Sequence, residues 1–401
     1  GGPRSHSPLL PLVPPRLAGN VSTTFAHSPI LSPKAGAAVS RFLRLALVAA
    51  VGVGVACLPA CNRGGSTKPK IAIVTNCTDP FWDLCEAGAK KAAQDFDVEL
   101  QFRQPERGTA EVQKPIIDTW VNQGVSGIAV SVIDPKGQTE DLKLVAKKVP
   151  LVTMDNDALD SGRRCYIGVD NKEAGRAVGR LIKKVLPNGG TIALFIGSTT
   201  SANGQARPAG VLEELATPEA NGTPAKHPTR PEISGKYYGK YFLVDGESKT
   251  DDFNKERAVT NARDMLNRVD GIPDVCFVGL YAYNPPAILE ALRARSAVGK
   301  VKIVAFDEDL VTLKAVAAGE IEGTVVQDPY NYGYKSVEVL AAIARGDDSK
   351  ADEVNAAKSM PYQVITREGG PDQTIDGLPI KFPKAADYEQ RVRDQFKSVG
   401  K

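Results

Sequence analysis

Histidine is nearly missing: 401 residues hold three, and two of those, His6 and His27, fall in the first thirty positions. The third, His227, lies in a Pro-rich stretch and is read as solvated. A His-based metal centre or acid–base site is therefore not expected. Cysteine is sparse too, with six residues and no CxxC pair, which argues against a disulfide scaffold and a zinc site. Charge of one sign is not in surplus. Fifty basic side chains against 47 acidic ones give a formal +3, with no basic run, so nothing supports nucleic-acid binding. No nucleophile elbow, P-loop or His-centred triad occurs, and no cofactor or enzymatic activity is expected.

Long apolar runs are also lacking. The longest candidate, residues 45–55, is too short to span a bilayer comfortably. It follows Arg41 and Arg44 and leads to Leu58-Pro59-Ala60-Cys61, the pattern of a secretory signal ending in a lipobox. Cys61 is expected to carry lipid at a new N-terminus. Residues 1–38 are rich in Pro, Ser and Gly without periodicity and are read as a non-native or disordered leader, with translation starting at Val39. Residues 39–61 are then the signal and 62–69 a polar tether. A plain signal peptide or a membrane-anchor helix are the alternatives.

From Lys70 onward, short Val/Ile-rich runs alternate with stretches of helical period. Strands are expected at 71–75, 98–102, 127–131, 151–154, 166–169, 191–196, 238–244, 275–279, 301–305 and 323–327. Helices are expected to start near 80, 109, 137, 172, 205, 254, 284, 310 and 330. Such alternation predicts an α/β fold with parallel sheets covered on both faces. Ten strands suit two doubly wound lobes better than one open sheet.

Ligands in such sheets sit at the carboxyl ends of strands. Those ends are marked here. "IAIVTNCTDPFW" places Thr75, Asn76, Asp79, Phe81 and Trp82 where a strand meets a helix. Asp79 can also be read as a helix cap ahead of Pro80, and Trp82 as core on a stripe with Cys85, Ala89, Ala93 and Phe96; Phe81 lies off that stripe. Asp155 and Asn156 end "LVTMDN", and Arg207 follows a small polar loop. Phe253, Asn284, Asp307 and Gln327 each close a later strand region. Carboxylates, amides and a guanidinium among aromatic rings suit a neutral polyhydroxylated ligand, whose hydroxyls donate and accept and whose C–H faces match rings.

As an ordered series, "TNCTDPFW", "GIAVSVIDPKG", "VTMDND", "GVDNKEAG", "ARPAG", "AYNPPAILEAL", "IVAFDED" and "GTVVQDPYNYGYKSVEVL" resemble the periplasmic ribose-binding protein family, sugar receptors of bacterial ABC transporters. The similarity covers about residues 70–366. It implies two type I lobes joined by a three-strand hinge and closing on sugar, with an N-terminal lobe of about 70–170 and 329–358 and a C-terminal lobe of about 171–328 and 359–390. Sugar contacts are implied at Thr75, Asp79, Phe81, Trp82, Asp155 and Asn156, and across the cleft at Arg207, Phe253, Asn284 and Asp307, with Gln327 at the hinge. Phe81, Trp82 and Phe253 would sandwich the ring, and Asp155, Arg207, Asn284 and Asp307 would hold hydroxyls. Two positions depart: the family's ribose receptors carry Asn where this chain has Asp79, and Arg where it has Asn156. The implied pocket is more acidic, so a sugar or related polyol is expected without commitment to ribose.

The expected molecule is a monomeric periplasmic lipoprotein that hands its ligand to an ABC permease. A chemotaxis or sensor-kinase partner, a secreted glycosidase and a lactose-repressor-type regulator remain competing readings; the last lacks an N-terminal helix-turn-helix, because an export signal holds that position. Residues 217–234 read as a surface insertion. Pairing of Cys77, Cys85, Cys165 and Cys276 stays open, although an oxidising periplasm permits disulfides.

Overall fold

The computed structural model describes residues 68–218, 232–375 and 377–398. The leader, the signal with Cys61, most of the tether and most of the 217–234 insertion lie outside the described residues.

β1 (Lys70–Val74), β2 (Glu99–Arg103), β3 (Gly127–Val130), β4 (Leu151–Met154) and β5 (Tyr166–Ile167) form a parallel sheet ordered β2-β1-β3-β4-β5. β3 and β4 are buried along their whole length and β1 beyond its first residue, which is why each reads as a continuous apolar run. α1 (Pro80–Asp95), α2 (Ala110–Asn122) and α3 (Pro135–Ala146) make the crossovers. α1 and α3 begin alike: Pro sits in the first turn, and the preceding Asp79 or Asp134 accepts from a backbone N–H two residues on.

A second sheet holds β6 (Gly190–Ile196), β7 (Gly235–Tyr238), β8 (Tyr241–Val244), β9 (Lys249–Thr250), β10 (Val275–Gly279), β11 (Val301–Phe306), β12 (Gly323–Val326) and β13 (Gln363–Ile365). Its order is β13-β12-β11-β10-β6-β8-β7, with β9 also on β6; the centre is parallel and both edge strands are antiparallel. The helices along this stretch are α4 (Asn171–Val185), α5 (Ala202–Ala216), α6 (Lys255–Arg268), α7 (Asn284–Ala294) and α8 (Leu310–Ala318). The chain then returns to the first sheet through α9 (Pro329–Ala344) and α10 (Ser349–Ala357). It ends beyond β13 with a hairpin, β14 (Gln373–Ile375) and β15 (Leu378–Ile380), and with α11 (Ala385–Lys397).

Three segments cross between the sheets, at residues 168–170, 327–328 and 358–362. They are stitched together. Met360 N donates to Gly168 O at 2.8 Å. Val169 N donates to the Tyr332 hydroxyl at 3.1 Å, and that hydroxyl donates to Gln327 Oε1 at 3.2 Å. Tyr332 thus ties two crossovers together from α9.

Glycine sets how closely paired helices approach. A Cβ on Gly88 of α1 would meet Tyr330 O at 1.8 Å, and one on Gly333 of α9 would meet Cys85 O at 1.9 Å. Neither position has room for a side chain.

Some expectations need correction. The single strand at 238–244 is a hairpin, because Gly239 adopts φ 58° and reverses the chain between β7 and β8. The C-terminal region expected to stop at 390 continues in α11 to Lys397. α10, α11 and β13 to β15 were not anticipated as elements; these strands have three residues each, too few to show a period. The cysteines left open by the sequence, Cys77, Cys85, Cys165 and Cys276, are free thiols, and all but Cys77 are fully buried.

Candidate functional site

Both sheets have a switch point where strand order reverses, between β1 and β3 in one and between β6 and β10 in the other. Loops from both converge on one cavity with about 340 Å³ of empty space. Among the predicted residues, Asp79, Phe81, Trp82 and Asp155 line it from the first sheet's side, Arg207, Phe253 and Asp307 from the second, and Gln327 from a crossover.

Backbone strain marks three of them. Asp155, Phe253 and Asp307 have φ of 59°, 59° and 72°, a region that non-glycine residues seldom occupy and a ring-bearing one least of all. In each case the turn follows a strand and aims the side chain into the cavity rather than along the sheet.

Arg207 is the centre of the arrangement. It is 1% exposed. Nε donates to Asn171 Oδ1 and Nη1 to Leu280 O, both at 2.8 Å, and the guanidinium lies 4.0 Å from the Phe306 ring centre. The plane is fixed by these contacts, while Nη2 is buried without a hydrogen-bond partner. Asp155 Oδ1 lies 3.8 Å from Nη2, and Asp307 Oδ2 lies 3.8 Å from Nη1. Close packing of α4 against α5 sets the position: a Cβ on Gly175 would stand 2.2 Å from the Arg207 carbonyl oxygen.

The two carboxylates are held from behind. Ser131 Oγ and Asn156 Nδ2 donate to Asp155 Oδ2 at 3.1 and 2.9 Å, and Gln327 Nε2 donates to Asp307 Oδ1 at 2.6 Å. Burial pushes both carboxyls above the usual carboxylate range, against the pull of Arg207. Asp79 accepts from Phe81 N through Oδ1 and meets Lys255 Nζ at 3.0 Å through Oδ2. It is both helix cap and cavity wall.

Phe81 and Trp82 meet edge to face at 4.9 Å, and Trp82 Nε1 donates to Asn76 Oδ1 at 3.0 Å. Trp82 therefore faces the cavity from its helical stripe. Phe253 stands on the other wall, 6.0 Å from Tyr281.

Thr75, Asn156 and Asn284 stand one layer back. The Thr75 hydroxyl donates to Cys77 O. Asn156 holds Asp155 and accepts from Asn203 N at 2.9 Å, joining the two sides of the cleft. The Asn284 amide is occupied by Asp251 Oδ2 and Tyr281 N. Tyr283 donates to the same Asp251, whose carboxyl is pushed up to about 6 by burial.

Asn76, marked at its strand end, also lines the cavity, and so do Cys77, Asn203, Tyr281, Ala282 and Tyr283, which the sequence reading did not single out as contacts. The strand-end rule reaches Tyr281 and Tyr283, which follow β10 directly. Asn203 was hidden by placing the start of α5 near residue 205. Burial and Asp79 push the Cys77 thiol up, which favours its neutral form.

Two doubly wound lobes, a three-strand hinge and a polar, ring-walled cavity between facing switch points define the class: a two-lobed α/β receptor. The chain belongs to the periplasmic binding protein family, whose domain it matches over residues 71–348. It is 24% identical over 294 residues to the ribose import binding protein of Salmonella typhimurium, covering 72% of this chain and 90% of that one. The D-xylose-binding periplasmic protein of Escherichia coli is 25% identical over 276 residues, with 66% and 75% covered. Among solved structures, an ABC transporter solute-binding protein from Burkholderia graminis in complex with D-arabinose superposes with a TM-score of 0.62 at 27% identity, over 70% of this chain and 91% of that chain.

Proposed function

We propose that this protein is the substrate-binding component of a sugar ABC importer. It captures a monosaccharide or related polyol between its lobes and delivers it to a membrane permease. The observation that carries this is the set of Asp155, Arg207 and Asp307, buried and fixed between aromatic walls. It offers hydrogen-bonding partners at several angles to hydroxyls and rings to C–H faces. The ligand-contact set is Asp79, Phe81, Trp82, Asp155, Arg207, Phe253, Asp307 and Gln327, supported from behind by Thr75, Asn156 and Asn284. The lobes are residues 70–170 with 329–358 and 171–328 with 359 onward. Cys61 carries the lipid that holds a monomeric protein at the periplasmic face of a membrane. The reading is of binding without turnover: the site's polar groups are arranged to hold hydroxyls, and the named relatives are binding proteins.

Calorimetric titration of the purified protein against pentoses, hexoses, alditols and inositols tests this. One ligand should bind tightly and be recovered unchanged. A folded protein that gives no heat with the whole panel, or that hydrolyses glycosides, refutes it.

A further inference from the structure

Among the described residues that line the cavity, three are carboxylates, Asp79, Asp155 and Asp307, and Arg207 is the one cation. Each of the three acids is more than nine-tenths buried. Asp79 is answered from the rim by Lys255, whose side chain is about half exposed. Asp155 and Asp307 must share Arg207, and each meets it at 3.8 Å, beyond hydrogen-bond distance. The guanidinium cannot swing to either, because Asn171, Leu280 O and the Phe306 ring hold its plane. Held as carboxylates, the three acids outnumber the two cations that meet them, beside an unspent donor, Arg207 Nη2.

A neutral polyol can supply an oxygen to Nη2 but leaves a buried carboxylate without a counter-charge. A ligand bearing an ammonium group among hydroxyls meets both needs, since an ammonium has three donors and a full charge. We infer that the cleft takes an amino sugar or aminodeoxy polyol, its ammonium directed at Asp155 and Asp307 and a hydroxyl oxygen at Arg207 Nη2. This rests on the binding function proposed above. Burial pushes both carboxyls up against the pull of Arg207, and an ammonium beside them would add a second downward pull. The aromatic walls add to it, since a cation near the faces of Phe81, Trp82 or Phe253 is attracted to them.

The test is a set of matched pairs titrated calorimetrically into the full purified protein at neutral pH: D-glucosamine against D-glucose, D-galactosamine against D-galactose, and an aminodeoxyinositol against myo-inositol. In at least one pair the amine should bind about tenfold or more tightly than its hydroxyl partner. Asp307→Asn, which keeps an acceptor for Gln327, should bring that ratio below about threefold. Equal or tighter binding of the hydroxyl member in every pair that binds overturns the inference and leaves the sugar-receptor reading standing. Heat from no probe at all, with a folded protein, overturns both.

Discussion

Replacing Arg207 by methionine is the sharpest probe of the site. Methionine keeps a long apolar stem that can lie on Phe306 but removes the charge and every donor. For the ligand, the loss is the hydrogen bond that Nη2 is free to make. A hydrogen bond to a charged group contributes about 1.5–3 kcal/mol, so Kd should rise about 10- to 150-fold. For the fold, Leu280 O and Asn171 Oδ1 lose their donor, and Asp155 and Asp307 lose their shared cation. Breaking a buried charged arrangement from one side costs about 3–5 kcal/mol. The acids can relieve part of that by taking up protons. Burial already holds both folded-state carboxyls above their unfolded values, and Arg207 opposes that rise. A carboxyl raised in the folded state contributes stability below its unfolded value, near pH 4, and loses it as pH rises through the folded value. Removing Arg207 enlarges the rise. The stability deficit of the variant should therefore be largest near pH 7.5 and shrink towards pH 5. Urea unfolding followed by the fluorescence of Trp82 and Trp120, at both pH values, measures the deficit, and calorimetry measures Kd. An Arg207→Met protein that binds within about threefold of the parent, or whose deficit is the same at both pH values, refutes the reasoning.

Gly175→Ala places a methyl 2.2 Å from the Arg207 carbonyl oxygen, so α5 must move. Stability should fall by about 1–3 kcal/mol, and affinity should drop although no cavity side chain has changed; unchanged Kd would show that this packing does not position Arg207. Tyr332→Phe leaves Val169 N and Gln327 Oε1 without their shared hydroxyl, at a cost of about 1–3 kcal/mol, and hydrogen exchange at the Val169 amide should accelerate. Asp251 is raised from 3.8 to about 6, so parental stability should decline between those pH values with a slope of up to about 1.4 kcal/mol per unit. In Asp251→Asn that decline should flatten, with the slope of urea stability against pH as the readout.

The parallel cores were legible because strands buried on both faces leave uninterrupted apolar runs, as in β3 and β4. Much of the site was legible for a related reason: strand ends carry polar side chains that a core would not tolerate, so Asp155, Asp307 and Gln327 stand out, while Arg207 stands in α5, beyond the small polar loop that follows β6. Asn284 shows the limit. An amide after a strand and before two prolines looks like a cavity residue, yet Asp251 arrives from a distant loop and claims it, and Tyr281 and Tyr283 occupy the wall instead. Local pattern shows that a polar side chain sits at a strand end and not what meets it from another element. The pairing of four cysteines was illegible for the same reason, since only the packed helices and strands show that no two of them are joined.

The contacts across the cleft explain how such a receptor can respond to its ligand. Asn156 accepts from Asn203 N, worth about 1 kcal/mol net. Asp79 pairs with Lys255, but that lysine is half exposed, so the pair contributes at most about 1 kcal/mol. Phe253 packs so closely on Gly108 that a Cβ there would come within 2.8 Å of its ring. Apolar packing adds to them, since Leu84 of α1 is buried in a cluster otherwise built from the second lobe. Against these stand costs that grow as the lobes approach: two carboxylates and a guanidinium lose water while their mutual distances stay at 3.8 Å. A ligand that hydrogen-bonds Arg207 Nη2 and satisfies Asp155 and Asp307 removes the opposing cost and leaves the contacts in place. Closure then depends on the chemistry of the bound molecule, because only differential contact between two states can shift their populations.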